Sequence, residues 1–434
     1  MSYSLMHRSD LVDLQQLKTL PAGVLKQIET VSRVFPFRAN AHILRLIDWQ
    51  AVPDDPIFKM IFPEKDCVPP SIYQTLSRLD TVETISPSQK KDLLAELTIS
   101  MNPDPSQQSQ NIPLFAGEPL NGVQHKYQET VLAFPHAGQT CFAFCTYCFR
   151  WEQFIQGAQS KHKLAPHDIP RWIDYLKSQL QVTDVVLTGG DPLFMNASQL
   201  SDYLLPLLQS DLDHITNIRI GTKSLGFWPN RFLQDPDTPE LLALFKQVVD
   251  RGKHLTLLAN VNHPRELEPD EAREAIQVVR RLGVVIRTQS PLLAGINDQV
   301  ATLKQLWESE IKLGCIPYYL FLPRDTGAKG RFEISIDKAL HLVQQVYGQV
   351  SGLAKTVRAP VMSTQYGKVQ VLGTRWLGGK KRFVFQYLQA RDPHLTRMPF
   401  FARFDADATW FDQLEPAEAF DGFLFRGERP PEEG

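Results

Sequence analysis

The stretch Asp184-Val-Val-Leu-Thr-Gly-Gly-Asp191 is a continuous apolar run, rich in β-branched residues, that ends in two glycines and an aspartate. Apolar runs without alternation are typical of strands that are buried on both faces of a parallel sheet. Glycines directly after such a strand allow a tight turn and a close approach of other groups. We therefore predict a buried strand whose carboxyl end carries a polar loop.

Five further runs have the same character, and amphipathic helix candidates such as residues 239–252 and 268–282 lie between them. The runs are Thr130-Val-Leu-Ala-Phe134, Asn217-Ile-Arg-Ile-Gly221, His254-Leu-Thr-Leu-Leu-Ala259, Val284-Val-Ile-Arg-Thr288 and Ile316-Pro-Tyr-Tyr-Leu-Phe321. Strands that alternate with helices predict a parallel sheet covered by helices. We predict an α/β fold, a partial (β/α)6 TIM-like barrel, with its chemistry at the carboxyl ends of the strands.

The rest of the chain flanks this unit on both sides. Residues 1–115 combine many prolines with capped helix starts at Ser71 and Ser86, and they predict a mainly helical N-terminal region. Residues 116–350 are assigned to the barrel. Residues 351–434 are assigned to a C-terminal extension, whose Pro- and Glu-rich tail from Arg426 onward is predicted to be disordered.

Composition limits the function classes. The chain has 434 residues, a net charge of −2 and a hydrophobic fraction of 43%. A nearly neutral chain lacks the basic face that nucleic-acid binding usually needs. No apolar run approaches the roughly 20 residues that a membrane span requires. We expect no nucleic-acid or membrane partner and, because the first residues do not resemble a signal peptide, a cytoplasmic location.

Three of the five cysteines lie within eight residues, directly after the first predicted strand. They are Cys141, Cys145 and Cys148. A C-x3-C-x2-C spacing lets one short loop wrap three thiolates around an iron–sulfur cluster, for which soft thiolate ligands are suited. With only three thiolates nearby, one iron would stay open to a substrate or cosubstrate. The alternative is a three-cysteine zinc site completed by His136.

This spacing resembles the signature of the radical S-adenosylmethionine superfamily, and the aromatic Tyr147 before the last cysteine matches it too. The resemblance implies that the three cysteines hold a 4Fe-4S cluster and that S-adenosyl-L-methionine chelates its open iron. It implies a 5′-deoxyadenosyl radical that abstracts a hydrogen atom from the substrate. It also implies an electron donor such as flavodoxin or ferredoxin.

Residues 125–362 resemble the lysine 2,3-aminomutase family more specifically. The stretches that carry this resemblance are His125-Lys-Tyr127, Leu187-Thr-Gly-Gly-Asp-Pro-Leu193, Ile218-Arg-Ile-Gly221, Asn260-Val-Asn-His-Pro264, Gln289 to Asp298, Pro317-Tyr-Tyr319 and Ala359-Pro-Val-Met362. By this resemblance, the residues expected to bind the cosubstrate are Tyr147, Gly189, Gly190, Asp191, Asn262, His263, Gln289 and Ser290. For Asp191 the alternative is a helix N-cap, and both roles are compatible. The family also suggests a homo-oligomer.

The resemblance breaks in the part that serves pyridoxal phosphate. Arg358 falls where the family's Schiff-base lysine stands, and a guanidinium supplies no neutral amine. Thr130 replaces the arginine that serves the cofactor phosphate, and Arg324 replaces the aspartate that binds the substrate ammonium. Two alternatives stay open: Lys355 could replace the Schiff-base lysine, and a shifted alignment would let Asp325 replace the aspartate that binds the substrate ammonium.

Arg150 follows the cysteines where the family's arginine meets the substrate carboxylate. Arg150, Arg324 and Arg358 are therefore our candidate substrate and catalytic residues, and they favour an anionic ligand. We predict a radical enzyme that acts on a small, anionic, amino-acid-like substrate without pyridoxal phosphate. A pyridoxal-phosphate-dependent amino-acid 2,3-aminomutase and a non-catalytic iron–sulfur carrier or redox protein remain the alternatives, with a zinc-stabilised scaffold as a third class.

Overall fold

The structure is a computed structural model that describes residues 4–18, 20–21, 23–79, 86–154 and 163–431. The strands are β1 Leu5–His7, β2 Arg38–Asn40, β3 Leu114–Phe115, β4 Glu118–Pro119, β5 Val123–Tyr127, β6 Thr130–Ala133, β7 Asp184–Leu187, β8 Asn217–Thr222, β9 His254–Asn260, β10 Val285–Pro291, β11 Ile316–Phe321, β12 Arg358–Ser363, β13 Gly367–Leu377, β14 Lys380–Ala390 and β15 Pro399–Arg403. The helices are α1 Gln15–Lys18, α2 Val24–Val31, α3 Ala41–Leu46, α4 Pro56–Ile61, α5 Pro70–Arg78, α6 Pro87–Ser100, α7 Ile169–Ser178, α8 Ala197–Leu204, α9 Ser224–Phe227, α10 Thr238–Asp250, α11 Asp270–Arg281, α12 Val300–Lys312, α13 Lys329–Phe332, α14 Ile336–Tyr347 and α15 Ala419–Phe425.

One large sheet joins the strands from β5 to β15 in chain order. From β6 to β12 each strand pairs in parallel with the next, whereas β5 and β13 to β15 add antiparallel edges. The strands predicted from the apolar runs correspond to β6 to β11, and each begins within one residue of its predicted start. The α/β class and the predominantly parallel sheet are therefore confirmed.

The amphipathic helices cover the outer face of this sheet. In α11 the buried side chains are Ala272, Ala275, Ile276 and Val279, which share one face of the helix because they recur every three or four residues. Ala275, Ile276 and Val279 pack into the same apolar core as strand residues such as Leu187. Full burial of an aliphatic side chain of Val or Leu size contributes about 1.5–3 kcal/mol, so this core holds the strands in place.

Two side-chain contacts bring distant strands of the sheet together. The Lys126 ammonium on β5 donates to the backbone carbonyl of Thr364, in the turn between β12 and β13. Gln389 on β14 donates to Glu129, next to β6, at 2.7 Å. Because β5 and β14 stand far apart in the strand order, these contacts require the sheet to curl round. The curl encloses a space that is lined from both sides.

The N-terminal helices form a second apolar core, which packs against the loop that carries the cysteines. Within this region Ser86 caps α6, accepting from the backbone N–H of Gln89 at 3.3 Å while Gln89 accepts from the backbone N–H of Ser86 at 2.9 Å. The Thr146 hydroxyl donates to the Lys59 carbonyl at 2.7 Å, and its backbone N–H donates to the Met60 carbonyl at 2.8 Å. Helix α4 thus fixes the cysteine loop.

The residues beyond 351 continue the same sheet. The apolar stretch of β12 extends the parallel part by one strand, and β13 to β15 follow as an antiparallel meander. Of the tail predicted to be disordered, residues 426–431 are described, and Arg429 pairs with Asp392 at 2.9 Å; residues 432–434 lie outside the described part. No helix in the described ranges combines the length and the apolarity needed to cross a membrane.

Candidate active site

A cavity of about 380 Å³ lies inside the curl of the sheet. Its walls come from β5 and β13, from the ends of the parallel strands and from the loop after β6. All three clustered cysteines line it, and so do Tyr147 and Arg150 on the same loop. Carboxyl ends of parallel strands are the usual place for ligand sites in sheets of this kind. The prediction placed the chemistry at this end of the sheet.

The three cysteine thiols are buried and close enough to influence one another. Burial raises the pKa of each thiol, that of Cys148 to about 12. The neighbouring thiols raise the pKa of Cys141 and of Cys148 further, because two adjacent thiolates would repel each other. The thiolate form therefore needs a positive partner, and coordination to a metal supplies one.

The cysteine arrangement suits a cluster of several irons. Among the described residues, no three side chains of histidine, cysteine, aspartate and glutamate are placed to hold one metal ion. The thiolate ligands of a 4Fe-4S cluster bind different irons, so they stand further apart than the ligands of one ion. His136, which would complete a zinc site, is not among the residues that line the cavity. The three thiols could thus hold an iron–sulfur cluster.

The two glycines after β7 allow their loop to touch the cysteine loop. A Cβ atom on Gly189, whose φ is +132°, would lie 2.0 Å from the Gln139 side chain. A Cβ atom on Gly190 would lie 2.3 Å from the Thr140 carbonyl oxygen. Arg38, from the N-terminal region, donates to the Thr140 hydroxyl at 2.6 Å and to the Cys141 carbonyl at 2.8 Å. Gly190 is needed here because of this close backbone contact, whereas Gly189 is favoured by its positive φ and by the nearby Gln139 side chain.

Asp191 caps the turn that follows β7. Its carboxylate accepts from the backbone N–H groups of Leu193 at 3.0 Å and Lys223 at 2.9 Å, and from the Thr222 hydroxyl at 2.8 Å. Burial raises its pKa to about 6 despite these hydrogen bonds. The predicted capping role is therefore present. Asp191 also lines the cavity, so an oxygen can face a bound ammonium as well.

A polar group beside the cysteines was given no role by sequence reasoning, which noted its residues only as polar positions at strand ends. The Lys223 ammonium lies 2.6 Å from a buried carboxylate oxygen of Glu266 and 3.2 Å from the side-chain oxygen of Asn260. The Tyr147 hydroxyl donates to the same Asn260 oxygen at 3.1 Å. Lys223 and Asn260 line the cavity. The signal that could have found them is their position at or directly after the ends of β8 and β9.

The remaining predicted cosubstrate residues divide into two sets. Gln289 and Ser290, at the end of β10, line the cavity. Asn262 and His263 do not; their backbone N–H groups donate to Glu266 at 2.8 and 3.1 Å and shape the loop after β9. Burial, together with the Arg265 charge, lowers the pKa of His263 to about 4, so its ring is neutral at pH 7.

Arg150 and Arg324 lie together on the cavity wall. Their guanidinium carbons lie 4.9 and 4.5 Å from the centroid of the Phe149 ring, and Arg324 also donates to the Ser363 hydroxyl at 2.9 Å. Neither forms an ion pair with a carboxylate of the described residues. Burial lowers the pKa of Arg150 to about 9 and that of Arg324 to about 10, so both are charged at neutral pH.

The residues considered for pyridoxal phosphate lie elsewhere. Arg358 is exposed at the start of β12, donates to the Tyr319 hydroxyl at 2.9 Å and does not line the cavity. Lys355 is exposed and also outside the lining. Asp325 pairs with Lys329 at 3.2 Å and does not face the cavity. Two lysines that sequence reasoning did not single out, Lys126 and Lys368, do line it.

The chain is similar in sequence to known proteins over most of its length. No family model matches the chain. A protein of Aquifex aeolicus (strain VF5) named "Putative L-lysine 2,3-aminomutase" is 31% identical over 402 residues, which are 93% of this chain and 94% of that protein. A "Glutamate 2,3-aminomutase" of Clostridioides difficile (strain 630) is 26% identical over 54% of this chain and 52% of its own. Among solved structures, a radical SAM methyltransferase from Sphaerobacter thermophilus is 14% identical in sequence. The match covers 56% of this chain and 68% of the methyltransferase chain, with a TM-score of 0.36.

Proposed function

Because the chain belongs to the lysine 2,3-aminomutase family of radical S-adenosylmethionine enzymes, we propose that it removes a hydrogen atom from a small, anionic, amino-acid-like substrate. In this proposal Cys141, Cys145 and Cys148 hold a 4Fe-4S cluster. When bound there, the cluster and S-adenosyl-L-methionine supply the 5′-deoxyadenosyl radical. The curled sheet would correspond to the partial (β/α)6 barrel predicted from the sequence.

The residues around the cysteines have complementary tasks in this proposal. Tyr147 on the cysteine loop and Gln289 and Ser290 at the end of β10 would offer hydrogen bonds to the cosubstrate. Asp191 offers a carboxylate to its ammonium. Lys223 lies close enough to Cys145 to favour the thiolate, so it would help to balance the negative charge of a thiolate-bound cluster.

The charge of the cavity carries the proposal of an anionic substrate. Six basic residues and one acidic residue are among the described residues that line it. Arg219 pairs with Asp184, and Lys223 pairs with Glu266, so these two charges are matched. The other basic residues, which form no ion pair with a described carboxylate, are Lys126, Arg150, Arg324 and Lys368. Arg150 and Arg324 keep their charges at neutral pH, and unpaired charges away from water are unfavourable by several kcal/mol. A bound anion would offset this and would also favour protonation of the two lysines.

The relatives also bear on the substrate. One is named for lysine and another for glutamate, so related proteins differ in the charge of the side chain on which they act. The unpaired arginines of this chain favour the acidic kind. Arg150 and Arg324, which both contact the Phe149 ring, would bind one carboxylate, because guanidinium groups match its geometry.

We propose that the reaction proceeds without pyridoxal phosphate. The family's Schiff-base position is Arg358, and neither it nor Lys355 lines the cavity. A pyridoxal-phosphate-dependent aminomutase is the second candidate, because two cavity lysines have lowered pKa values: about 6 for Lys126 and about 7 for Lys368. A neutral amine is what a Schiff base requires. In that case Lys126 or Lys368 would form the Schiff base in place of the family's lysine.

The decisive experiment is anaerobic reconstitution with iron and sulfide, followed by dithionite and S-adenosyl-L-methionine. We expect 5′-deoxyadenosine from the wild-type protein and none from the Cys141→Ala, Cys145→Ala or Cys148→Ala variants. The matched control is Cys315→Ala, since Cys315 is buried in the apolar core and does not line the cavity. It should keep both iron and product.

A wild-type protein that binds iron but yields no 5′-deoxyadenosine would contradict the proposal and favour an iron–sulfur carrier. Pyridoxal phosphate followed by borohydride tests the second candidate, because only a Schiff base leaves a stable, stoichiometric adduct. The proposal further includes reduced flavodoxin or ferredoxin as electron donor, a cytoplasmic location and self-association into a homo-oligomer, which sedimentation would measure.

A further inference from the structure

The cavity has a second cationic wall, away from Arg150, formed by Lys126 on β5 and Lys368 on β13. We propose that the substrate carries two acid groups and that the second one binds between these lysines and the hydroxyl of Tyr127. This inference rests on the proposed function, and it narrows the substrate to a dianion such as a dicarboxylate or a carboxylate with a phosphate.

The two lysines converge on one tyrosine. The ammonium nitrogen of each lies 5.4 Å from the centroid of the Tyr127 ring. The Lys126 ammonium donates to the Thr364 carbonyl, and the Lys368 ammonium donates to the side-chain oxygen of Gln389 at 2.6 Å. An ammonium has three donors, so hydrogen atoms remain for a ligand on both side chains.

The Tyr127 hydroxyl is an independent sign of a missing acceptor. Tyr127 is 7% exposed and lines the cavity, and its buried hydroxyl has no hydrogen-bond partner among the described residues. A buried hydroxyl without a partner is unfavourable by about 1–3 kcal/mol. Burial raises its pKa, so at neutral pH it is a donor. An anion between the two lysines would accept from it.

The carboxylates near this wall are already engaged. Asp184 accepts from Arg219 at 2.8 Å, and Glu129 accepts from Gln389 at 2.7 Å. The other charged groups that face the lysines are Arg324, Arg391, Arg219 and Arg358. Burial and these cations lower the pKa of Lys126 to about 6 and that of Lys368 to about 7. A bound anion would reverse this effect, so both amines would take up protons when it binds.

The two anion sites lie at different heights of the sheet. Tyr127 pairs with Thr130 at the start of β6, whereas the cysteine loop and Arg150 follow the end of this strand. The four residues of β6 span about 13 Å at the usual rise of a strand. Arg324 belongs to the first site with Arg150, and its charge also reaches the second site, because it contacts Phe149 and lowers the pKa of Lys126. An elongated substrate with an acid at each end matches this arrangement.

Calorimetry on the anaerobically reconstituted protein tests the inference with defined probes. Straight-chain diacids from glutarate to sebacate are each compared with the monocarboxylate of equal chain length, so that the series covers the distance between the two sites. We expect one diacid to bind at least about tenfold more tightly than its monoacid, a difference of about 1.4 kcal/mol. Its binding enthalpy should depend on the ionisation enthalpy of the buffer, because protons are taken up.

Lys126→Met and Lys368→Met should each remove this preference without changing the affinity for the monoacid. Lys355→Met is the matched control, since Lys355 is exposed and outside the cavity. Tyr127→Phe keeps the ring but lacks the hydroxyl, so it should weaken only the diacid. The wild-type buffer dependence provides a measurement that does not require any variant to fold.

No preference for any diacid, or a preference that survives both lysine variants, would overturn the inference. So would a borohydride-stable pyridoxal phosphate adduct on Lys126 or Lys368, because the lysine would then act as a neutral amine. Formation of 5′-deoxyadenosine distinguishes the proposed function from the second acid site. If the protein forms 5′-deoxyadenosine but shows no preference for any diacid, only the second acid site is wrong.

Discussion

At the scale of single residues, the site depends on positions where no side chain fits. Gly190 faces the backbone of the cysteine loop, and the neighbouring Asp191 N–H donates to the same Thr140 carbonyl at 2.6 Å. The backbone there cannot yield easily, because Arg38 holds Thr140 and Cys141 from the other side. Gly190 therefore fixes the distance between the turn after β7 and the three thiols.

We expect Gly190→Ala to displace the cysteine loop and to reduce the iron bound per chain after reconstitution. The overlap should also lower the free energy of unfolding by about 1–3 kcal/mol, as overpacking of buried sites does. Iron analysis and urea denaturation measure both effects. Gly352→Ala is the control, because a Cβ atom there has open space. Equal iron content in the two variants would refute the role of Gly190.

At the scale of the elements, helix α4 links the N-terminal region to both the strand-end loops and the cysteine loop. Asp55, its fully buried N-cap, accepts from the Phe58 N–H at 2.8 Å and from Arg265 at 2.7 Å. The other end of α4 offers the Lys59 and Met60 carbonyls to Thr146. The helix therefore connects a buried ion pair with the cysteine loop.

Asp55→Asn keeps the volume but removes the charge that Arg265 faces. We expect the free energy of unfolding to fall by about 2–3 kcal/mol. This loss is smaller than for a fully buried ion pair, because Arg265 is 25% exposed and water can solvate its charge. Reconstituted iron should become more labile to a chelator. Asp54→Asn is the neighbouring control: Asp54 is 87% exposed, and its loss should cost less than about 1 kcal/mol. A chelation rate equal to that of wild type would argue against the link.

The elements differ in how far the sequence predicts them. Continuous apolar runs located β6 to β11, because strands buried on both faces leave that pattern. The cysteine loop, the Gly189-Gly190 turn, Gln289 and Ser290 were found because each directly follows such a run or lies at its end. Strand β12 was not predicted, since it begins with Arg358 and contains Pro360, which weakens a strand pattern.

The remaining site residues depend on tertiary structure. Lys126 lies in the His125-Lys-Tyr127 stretch, but nothing in the sequence connects it with the distant Lys368, so only the curl of the sheet brings the two lysines to one tyrosine. Asn262 and His263 follow β9, as a ligand-binding residue would, but their loop turns toward Glu266 instead. A strand-end position therefore predicts proximity to the cavity, whereas the direction of a side chain is set by its neighbours.

At the scale of the whole molecule, the cationic cavity should affect the pH dependence of stability. Lys126 and Lys368 have native pKa values of about 6 and 7, below the ordinary lysine value of 10.5. At pH values between the native and the ordinary pKa of each lysine, the unfolded chain binds more protons than the native chain. Each lysine therefore makes stability rise with pH in this range. The slope is at most about 1.4 kcal/mol per pH unit for each lysine.

We expect the ligand-free wild type to gain stability relative to the Lys126→Met/Lys368→Met double variant as the pH rises from 6 to 9. The comparison with the double variant is needed because of Glu310. Burial raises the pKa of Glu310 to about 8, so this residue makes stability fall as the pH rises toward 8. Urea denaturation at each pH measures the difference. A difference that stays constant with pH would show that the native lysines keep their protons.

The curl of the sheet also sets the order in which the cavity can be completed during synthesis. Its walls combine β5 with β13 and β14, and the latter are translated more than two hundred residues after the former. Until those last strands leave the ribosome, the space beside Tyr127 is open on one side, although the cysteine loop and the parallel strands are already present. The binding chamber is thus finished only when β13 and β14 join the sheet.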